Sequence, residues 1–277
     1  MADVTSYRYL HLSVSVQAGV ATATIDNPPV NVLTRDLFRD LRELAKWVEK
    51  TDDIKVLVLK SADPDFFICH FDVNELLASA QSPSPPADKD NPFNTLCEAF
   101  RTMSKVSIAQ IEGRVGGGGS ELVQAFDMRF GAEGRAILNH MEIPFGIIPG
   151  GGGTQRLPRI VGRGRALEIL LGAQDIDAVT AERWGFLNRI FPPGELEPFV
   201  QKLAARIATF PLNGIRAAKQ AVALAERPLP EGLRAEAELF QQLLRAEGFS
   251  ERLSRFMENG GQTREVELLV GDRRTVS

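Results

Sequence analysis

Two runs of four glycines, each beside a carboxylate, constrain this 277-residue chain more than any other feature. The first reads Val115-Gly116-Gly117-Gly118-Gly119-Ser120-Glu121-Leu122. The second, Pro149-Gly150-Gly151-Gly152-Gly153-Thr154-Gln155-Arg156-Leu157, follows Met141-Glu142-Ile143. Glycine lets a backbone turn sharply and lets its N–H groups approach a ligand with no Cβ in the way. A helix opening behind such a turn aims unpaired N–H donors and a partial positive charge at that ligand. With a carboxylate in each assembly, such a site can hold a developing oxyanion while protons move beside it.

Strand, glycine turn and helix also suggest nucleotide phosphate binding, but the residues argue against it. Glu121 stands where the dinucleotide motif needs a small residue, which places an anion near the pyrophosphate, and neither run continues into Gly-Lys-Ser/Thr. A plainer alternative is that the glycines only permit close helix–strand packing, with Glu121 a helix N-terminal acid and Glu142 a solvated loop acid. Two runs, each paired with an acid, favour the catalytic reading.

Composition narrows the field. Apolar residues make up 44% and charged residues 25%, ordinary for a globular protein. A net charge of −4 gives no reason to expect nucleic acid or an anionic membrane as partner. Two cysteines, Cys69 and Cys97, are too few for a disulfide framework and point to a reducing compartment. The N-terminus shows no secretory pattern, and no apolar run approaches the ~20 residues that span a bilayer. The expectation is a cytoplasmic protein. No Cys/His/Asp spacing suggests a metal.

Along the chain, His11 to Val16 and Val20 to Ile25 read as a hairpin joined by Gln17-Ala18-Gly19. Apolar residues from Leu37 through Leu41, Leu44, Ala45 and Val48 mark one helix face. Val56-Leu57-Val58-Leu59 and Val106 to Ile111 read as buried strands, with a helix around Phe93 to Met103 between them and another from about Ser120. This alternation argues an α/β class. Ser82 to Pro92 is a proline-rich, low-complexity stretch, expected to be a mobile loop. Beyond about Leu196 the chain turns helical; Pro228-Leu229-Pro230 is read as a break, and Glu236 to Met257 as one further helix. No internal repeat of solenoid period is visible.

These residues resemble the crotonase, or enoyl-CoA hydratase/isomerase, superfamily. Gly117-Gly118-Gly119-Ser120-Glu121-Leu122 is similar to its first motif, and the stretch from Met141 to Leu157 to its second. Asn27-Pro28-Pro29-Val30-Asn31-Val32-Leu33 is similar to a third. The resemblance covers essentially the whole chain. It implies a spiral of repeated ββα turns over residues 1–195 holding the active site, and a C-terminal helical oligomerisation region over 196–277. It implies assembly as a homotrimer or a dimer of trimers. It also implies an acyl-CoA thioester as substrate, with no cofactor beyond the CoA that the substrate carries.

Carried over by position, the resemblance gives Glu121 and Glu142 as the catalytic glutamates and Gly118 as one oxyanion-hole donor. The other donor falls at Phe71, in Cys69-His70-Phe71-Asp72-Val73-Asn74-Glu75-Leu76, where the family carries a small-residue stretch resembling Ala-Gly-Ala-Asp-Ile. Substrate contacts fall at Val30, Cys69, Asp72, Val73, Gly117 and Gly150. The bulk of Cys-His-Phe implies a reshaped pocket or a changed ligand. His70, His11 and His140 are expected to satisfy local structure. The reading is a hydratase acting on a 2-enoyl-CoA. The alternatives are another enolate reaction on the same scaffold (isomerisation, thioester hydrolysis, decarboxylation) or a non-catalytic binding or assembly protein.

Overall fold

A computed structural model of the chain describes residues 7–81, 91–192 and 194–267. The low-complexity segment read as a loop lies, from Ser82 to Asp90, outside the described residues. Strand β1 (Leu12–Gln17) pairs antiparallel with β2 (Val20–Ile25), from Leu12↔Ile25 to Gln17↔Val20. Only Ala18 and Gly19 form the turn, both at positive φ (48° and 80°). Two such residues match the right-handed twist of the flanking strands, so the hairpin is one residue tighter than its sequence suggests. Helix α1 (Arg35–Lys50) is capped by Thr34, whose side chain accepts the Leu37 N–H, and buries the expected Leu37, Leu41, Leu44, Ala45 and Val48.

From β3 onward the strands come in pairs that separate into two sheets. The pairs are β3 (Val56–Ser61) with β4 (Phe66–Ile68), β5 (Val106–Ile111) with β6 (Arg114–Gly116), and β7 (Met128–Ala132) with β8 (Ile137–Asn139). With β9 (Ile176–Asp177) and β10 (Arg189–Phe191), they give one sheet ordered β1-β2-β3-β5-β7-β10 and a second ordered β4-β6-β8-β9. The first member of each pair lies parallel to its predecessor in the larger sheet, and the second member does the same in the smaller one. Each circuit therefore lays down two strands and then a helical segment, which is a spiral of ββα turns. The circuits share a pairing pattern rather than residue identities, so no repeat is visible in the sequence. All six residues of β5 are buried, as the continuous apolar run requires.

The helical segments that follow these pairs carry the glycine runs. After β4 come α2 (Val73–Ala80) and α3 (Pro92–Thr102), and after β6 comes α4 (Gly118–Gln124). After β8 come a 3₁₀ turn (Ile143–Phe145), α5 (Gly153–Val161) and α6 (Arg163–Gly172). Helix α7 is Ala178–Arg183.

The chain divides into two compact units, Met1–Ala204 and Ala205–Ser277. Helix α8 is Leu196–Ala208, and the second unit carries α9 (Leu212–Ala223), α10 (Leu229–Leu244) and α11 (Phe249–Glu258). Two sequence readings change here. Pro228 is the N-cap of α10 and Pro230 sits in its first turn, where a missing N–H costs nothing, so the prolines start a helix rather than break one. The stretch read as one helix, Glu236 to Met257, is two, separated at Gly248, which adopts φ 73° ahead of α11.

Candidate active site

The third motif, Asn27 to Leu33, positions Phe71. Asn31, at φ 51°, accepts the Asn27 N–H through its side-chain oxygen and donates through its amide nitrogen to Ser61 Oγ and the Phe66 carbonyl. That ties the turn to the strand leading into Cys69. Leu33 then brackets Phe71 in an isolated parallel bridge: Leu33 N–H donates to the His70 carbonyl (2.8 Å), and Asp72 N–H donates to the Leu33 carbonyl (3.2 Å). Backbone groups alternate in direction along an extended strand, so the Phe71 N–H points away from Leu33. The His70 ring turns back on the same loop, donating from Nδ1 to the Phe71 carbonyl at 2.8 Å.

The first glycine run meets this loop. Gly117, at φ 46° and ψ −123°, sits in a region closed to side-chain-bearing residues and turns β6 into α4. A Cβ on Gly119 would stand 2.6 Å from the Ile68 carbonyl oxygen, so α4 packs on β4 only because this residue is glycine. A Cβ on Gly118 would lie 3.4 Å from Phe71 Cβ, which brings the two backbones face to face. Neither the Phe71 N–H nor the Gly118 N–H has an acceptor among the described residues.

Glu121 lies one turn into α4 and is 4% exposed. Its Oε1 accepts the Gly151 N–H at 2.7 Å and the Gly153 N–H at 2.8 Å. The second run therefore clamps the acid of the first, and Oε2 is left outside the clamp. Arg156 steadies this clamp by donating to the Gly151 carbonyl and to Glu98. Burial pushes the Glu121 carboxyl above the usual range, the Gly153 and Gly151 donors oppose that, and the Glu142 charge adds to it.

Glu142 caps the 3₁₀ turn, and its side chain is 11% exposed, so it is not a solvated loop acid. Its carboxylate faces His140 Nδ1 at 3.3–3.4 Å. The fully buried His140 ring has its other nitrogen 3.1 Å from Ser120 Oγ and 3.0 Å from the Gln124 side-chain nitrogen, both on α4.

One cavity of about 500 Å³ gathers these groups. Phe71, Gly118, Glu121, Glu142 and Gly150 all line it, and Phe38, Phe93, Leu76, Ile147 and Ile148 supply apolar wall. Of the other residues singled out in the sequence, Gly117 lies just beneath, with Glu142 Oε1 3.6 Å from where its Cβ would be. Asp72 caps α2 by accepting the Asn74 N–H, and Val73 opens that helix half exposed. Cys69 is half-buried with a free thiol, and Val30 is half-buried in the Asn27–Leu33 turn. None of these five lines the cavity. The apolar wall escaped the sequence reading, because Phe93 and Ile147 meet only through the spiral. The His140 contacts escaped it too, although His140 stands two residues before Glu142, and Ser120 and Gln124 are one helical turn apart.

Known proteins resemble this chain over most of its length. The family model described as enoyl-CoA hydratase/isomerase matches residues 15–264. A probable enoyl-CoA hydratase of Rhizobium meliloti is 32% identical over 251 residues, covering 90% of this chain and 95% of that protein. The glyoxysomal fatty acid beta-oxidation multifunctional protein of Cucumis sativus is 35% identical over 190 residues, or 68% of this chain. The chain spans only 26% of that protein's length. Among solved structures, Pseudomonas aeruginosa DspI superposes with a TM-score of 0.83 at 32% identity, covering 93% of this chain and 98% of that one. The chain belongs to the enoyl-CoA hydratase/isomerase family and has the crotonase fold.

Proposed function

We propose that this protein adds water across the 2,3-double bond of a 2-enoyl-CoA thioester. The observation that carries the reading is the convergence of Glu121, Glu142 and the unpaired Phe71 and Gly118 N–H groups on one apolar-walled cavity. The two N–H groups hold the thioester oxygen, so the β-carbon becomes electrophilic and the enolate is stabilised; each such donor is worth ~3 kcal/mol in the transition state. One glutamate takes a proton from water as its oxygen bonds to the β-carbon and the π-electrons move onto the thioester. The other glutamate delivers a proton to the α-carbon as the enolate collapses. Burial and the neighbouring Glu142 charge raise the proton affinity of Glu121, which suits that carboxyl to a proton-carrying role in the addition.

The acyl chain takes the space walled by Phe38, Phe93 and Ile148, beside Gly150. Val30, Cys69, Asp72, Val73 and Gly117, which lie outside this cavity, are assigned to the CoA portion of the substrate. CoA arrives with the substrate, so the reading needs no resident cofactor. Self-association as a trimer or dimer of trimers belongs to the same reading, supported by the exposed Leu229, Leu233 and Phe240 of α10. Two free thiols fit a cytoplasmic setting. Among the described residues no helix is long and apolar enough to cross a membrane.

The test is loss of the enoyl-thioester absorbance of crotonyl-CoA and longer 2-enoyl-CoAs, with Glu121→Gln and Glu142→Gln as controls. Glutamate-dependent decay to the 3-hydroxyacyl product is expected. Intact CoA binding without decay would overturn hydration in favour of another enolate reaction.

A further inference from the structure

We infer that His140 is a positioning residue for Glu142, held in one tautomer by Gln124 and Ser120. The inference rests on the reading above, in which Glu142 carries a proton during turnover. His140 is wholly buried, and every hydrogen-bonding partner of its ring lies on a piece of the site. The Glu142 carboxylate can only accept, so the ring proton facing it sits on Nδ1. The Gln124 amide nitrogen, 3.0 Å from Nε2, donates to it, while the Gln124 side-chain oxygen is buried with no hydrogen-bond partner among the described residues. Ser120 Oγ, 3.1 Å from the same nitrogen, closes that end of the ring. Nδ1–H is then directed between the two oxygens of Glu142, at 3.3 and 3.4 Å.

The chain of contacts has a clear consequence. Gln124 and Ser120 stand on α4 with Glu121, whereas Glu142 stands on the segment after β8, beyond the end of that helix. His140 is the side chain that relates the direction of the second carboxylate to the helix carrying the first. Glu121 has two backbone donors fixing it, while among the described residues the only donor to the Glu142 carboxylate is this ring. Contacts of 3.3–3.4 Å are long for a hydrogen bond, as free-enzyme catalytic contacts often are before substrate tightens them. Without the ring, Glu142 keeps its place in the chain but loses its aim.

The experiment compares His140→Ala, His140→Asn, Glu142→Gln and the His140→Ala/Glu142→Gln double variant, with kcat and KM measured separately on the 2-enoyl-CoA turned over best. Asparagine keeps an N–H near the place of Nδ1. His140→Ala is expected to lower kcat about tenfold or more with KM nearly unchanged, and His140→Asn to restore much of that loss. In the Glu142→Gln background, removing His140 should cost nothing further, because the residue it aims is already disabled. Full turnover by His140→Ala beside a dead Glu142→Gln would overturn the inference and leave the proposed function standing. Losses that multiply in the double variant would overturn it too, since His140 would then act elsewhere. An active Glu142→Gln would instead remove the reading on which the inference rests. Should His140→Ala fail to fold, Gln124→Met removes one of the two partners of Nε2 and leaves the ring in place. Its kcat must fall about threefold or more, and normal turnover overturns the proposal.

Discussion

The carboxylate of Glu121 accepts the backbone N–H of Gly153 at 2.8 Å, so the acid of one glycine run is fixed by the other. This contact explains why the two runs occur together. The first lets α4 open against β4 and present Glu121, and the second lets a backbone turn come close enough to hold it. Neither run makes a site alone. The arrangement also leaves a buried carboxylate whose ionised form is stabilised only in part.

Glu121→Gln should therefore stabilise the protein while removing its activity. Folding raises the Glu121 carboxyl pKa, chiefly by burial, so the folded state holds this proton more tightly than the unfolded chain. That contribution is fully present below the unfolded carboxyl pKa, about 4.3, and is lost as pH rises through the folded value. At pH 7 the charge destabilises, and glutamine carries none while still accepting from Gly151 and Gly153. Calorimetry should show a higher Tm for Glu121→Gln at pH 7, about 2–4 °C per ~1 kcal/mol in a protein of this size, with the gap closing near pH 4. A lower Tm at pH 7 would mean that the donors outweigh burial.

The glycines of the first run should separate fold from function. Gly119→Ala places a Cβ 2.6 Å from the Ile68 carbonyl oxygen and 2.7 Å from Ile68 Cβ, so backbone must move, at about 1–3 kcal/mol. Gly118→Ala meets Phe71 Cβ at 3.4 Å and Leu33 Cδ2 at 3.6 Å, which the fold can absorb. We expect Gly119→Ala to lower Tm, and Gly118→Ala to keep Tm but lose turnover as the methyl crowds the oxyanion position. Thermal melts and kcat on both variants check this; equal losses of stability would merge the two roles.

How far the sequence reveals this protein depends on whether the information is local. A glycine forced by φ or by close approach is visible at its own position, as at Gly117 and Gly119. So is the alternation of buried strands and amphipathic helix that gives β3, β5 and α1. Information carried by the spiral is not local. Phe93 and Ile148 belong to different circuits, and nothing in either neighbourhood says that they wall one cavity. The break before α11 is equally hidden: α10 ends at Leu244 with no proline after it, and Gly248, at φ 73°, is the N-cap from which α11 starts. Helix α2 is only eight residues long, and its apolar Val73, Leu76 and Leu77 recur at helical spacing over too short a stretch, and too exposed, to mark a core-facing helix in the sequence.

His70 should titrate far above an ordinary histidine. The neighbouring Cys69 side chain, opposed by partial burial and aided by the Phe71 carbonyl at 2.8 Å, raises it to about 9. A folded pKa above the ordinary 6.5 contributes stability that is complete below pH 6.5 and is lost as pH rises through about 9. An NMR titration of His70 should show a midpoint near 9 in the native protein and one closer to 6.5 in Cys69→Ala. The Tm difference between the two proteins should shrink over the same pH window. An unchanged midpoint in Cys69→Ala would assign the shift to the Phe71 carbonyl alone.

Phe71→Ala should change which acyl groups are accepted without removing the oxyanion donor. The Phe71 N–H is placed by backbone, through the Leu33 hydrogen bonds to His70 and Asp72, and so does not depend on the ring. The ring packs edge-on to Phe93 at 5.8 Å and lines the cavity beside Gly118. Trimming it opens space where the thioester end of the acyl group would lie, and it removes an aromatic contact worth ~0.5–1.5 kcal/mol. We expect kcat/KM to fall for crotonyl-CoA, which loses packing, and to rise for longer or branched 2-enoyl-CoAs, which gain room. The ratio of the two kcat/KM values measures the pocket directly, because both substrates use the same donors and the same glutamates. An identical ratio in the variant would mean that Phe93 and Ile148, not Phe71, set the limit on the acyl chain.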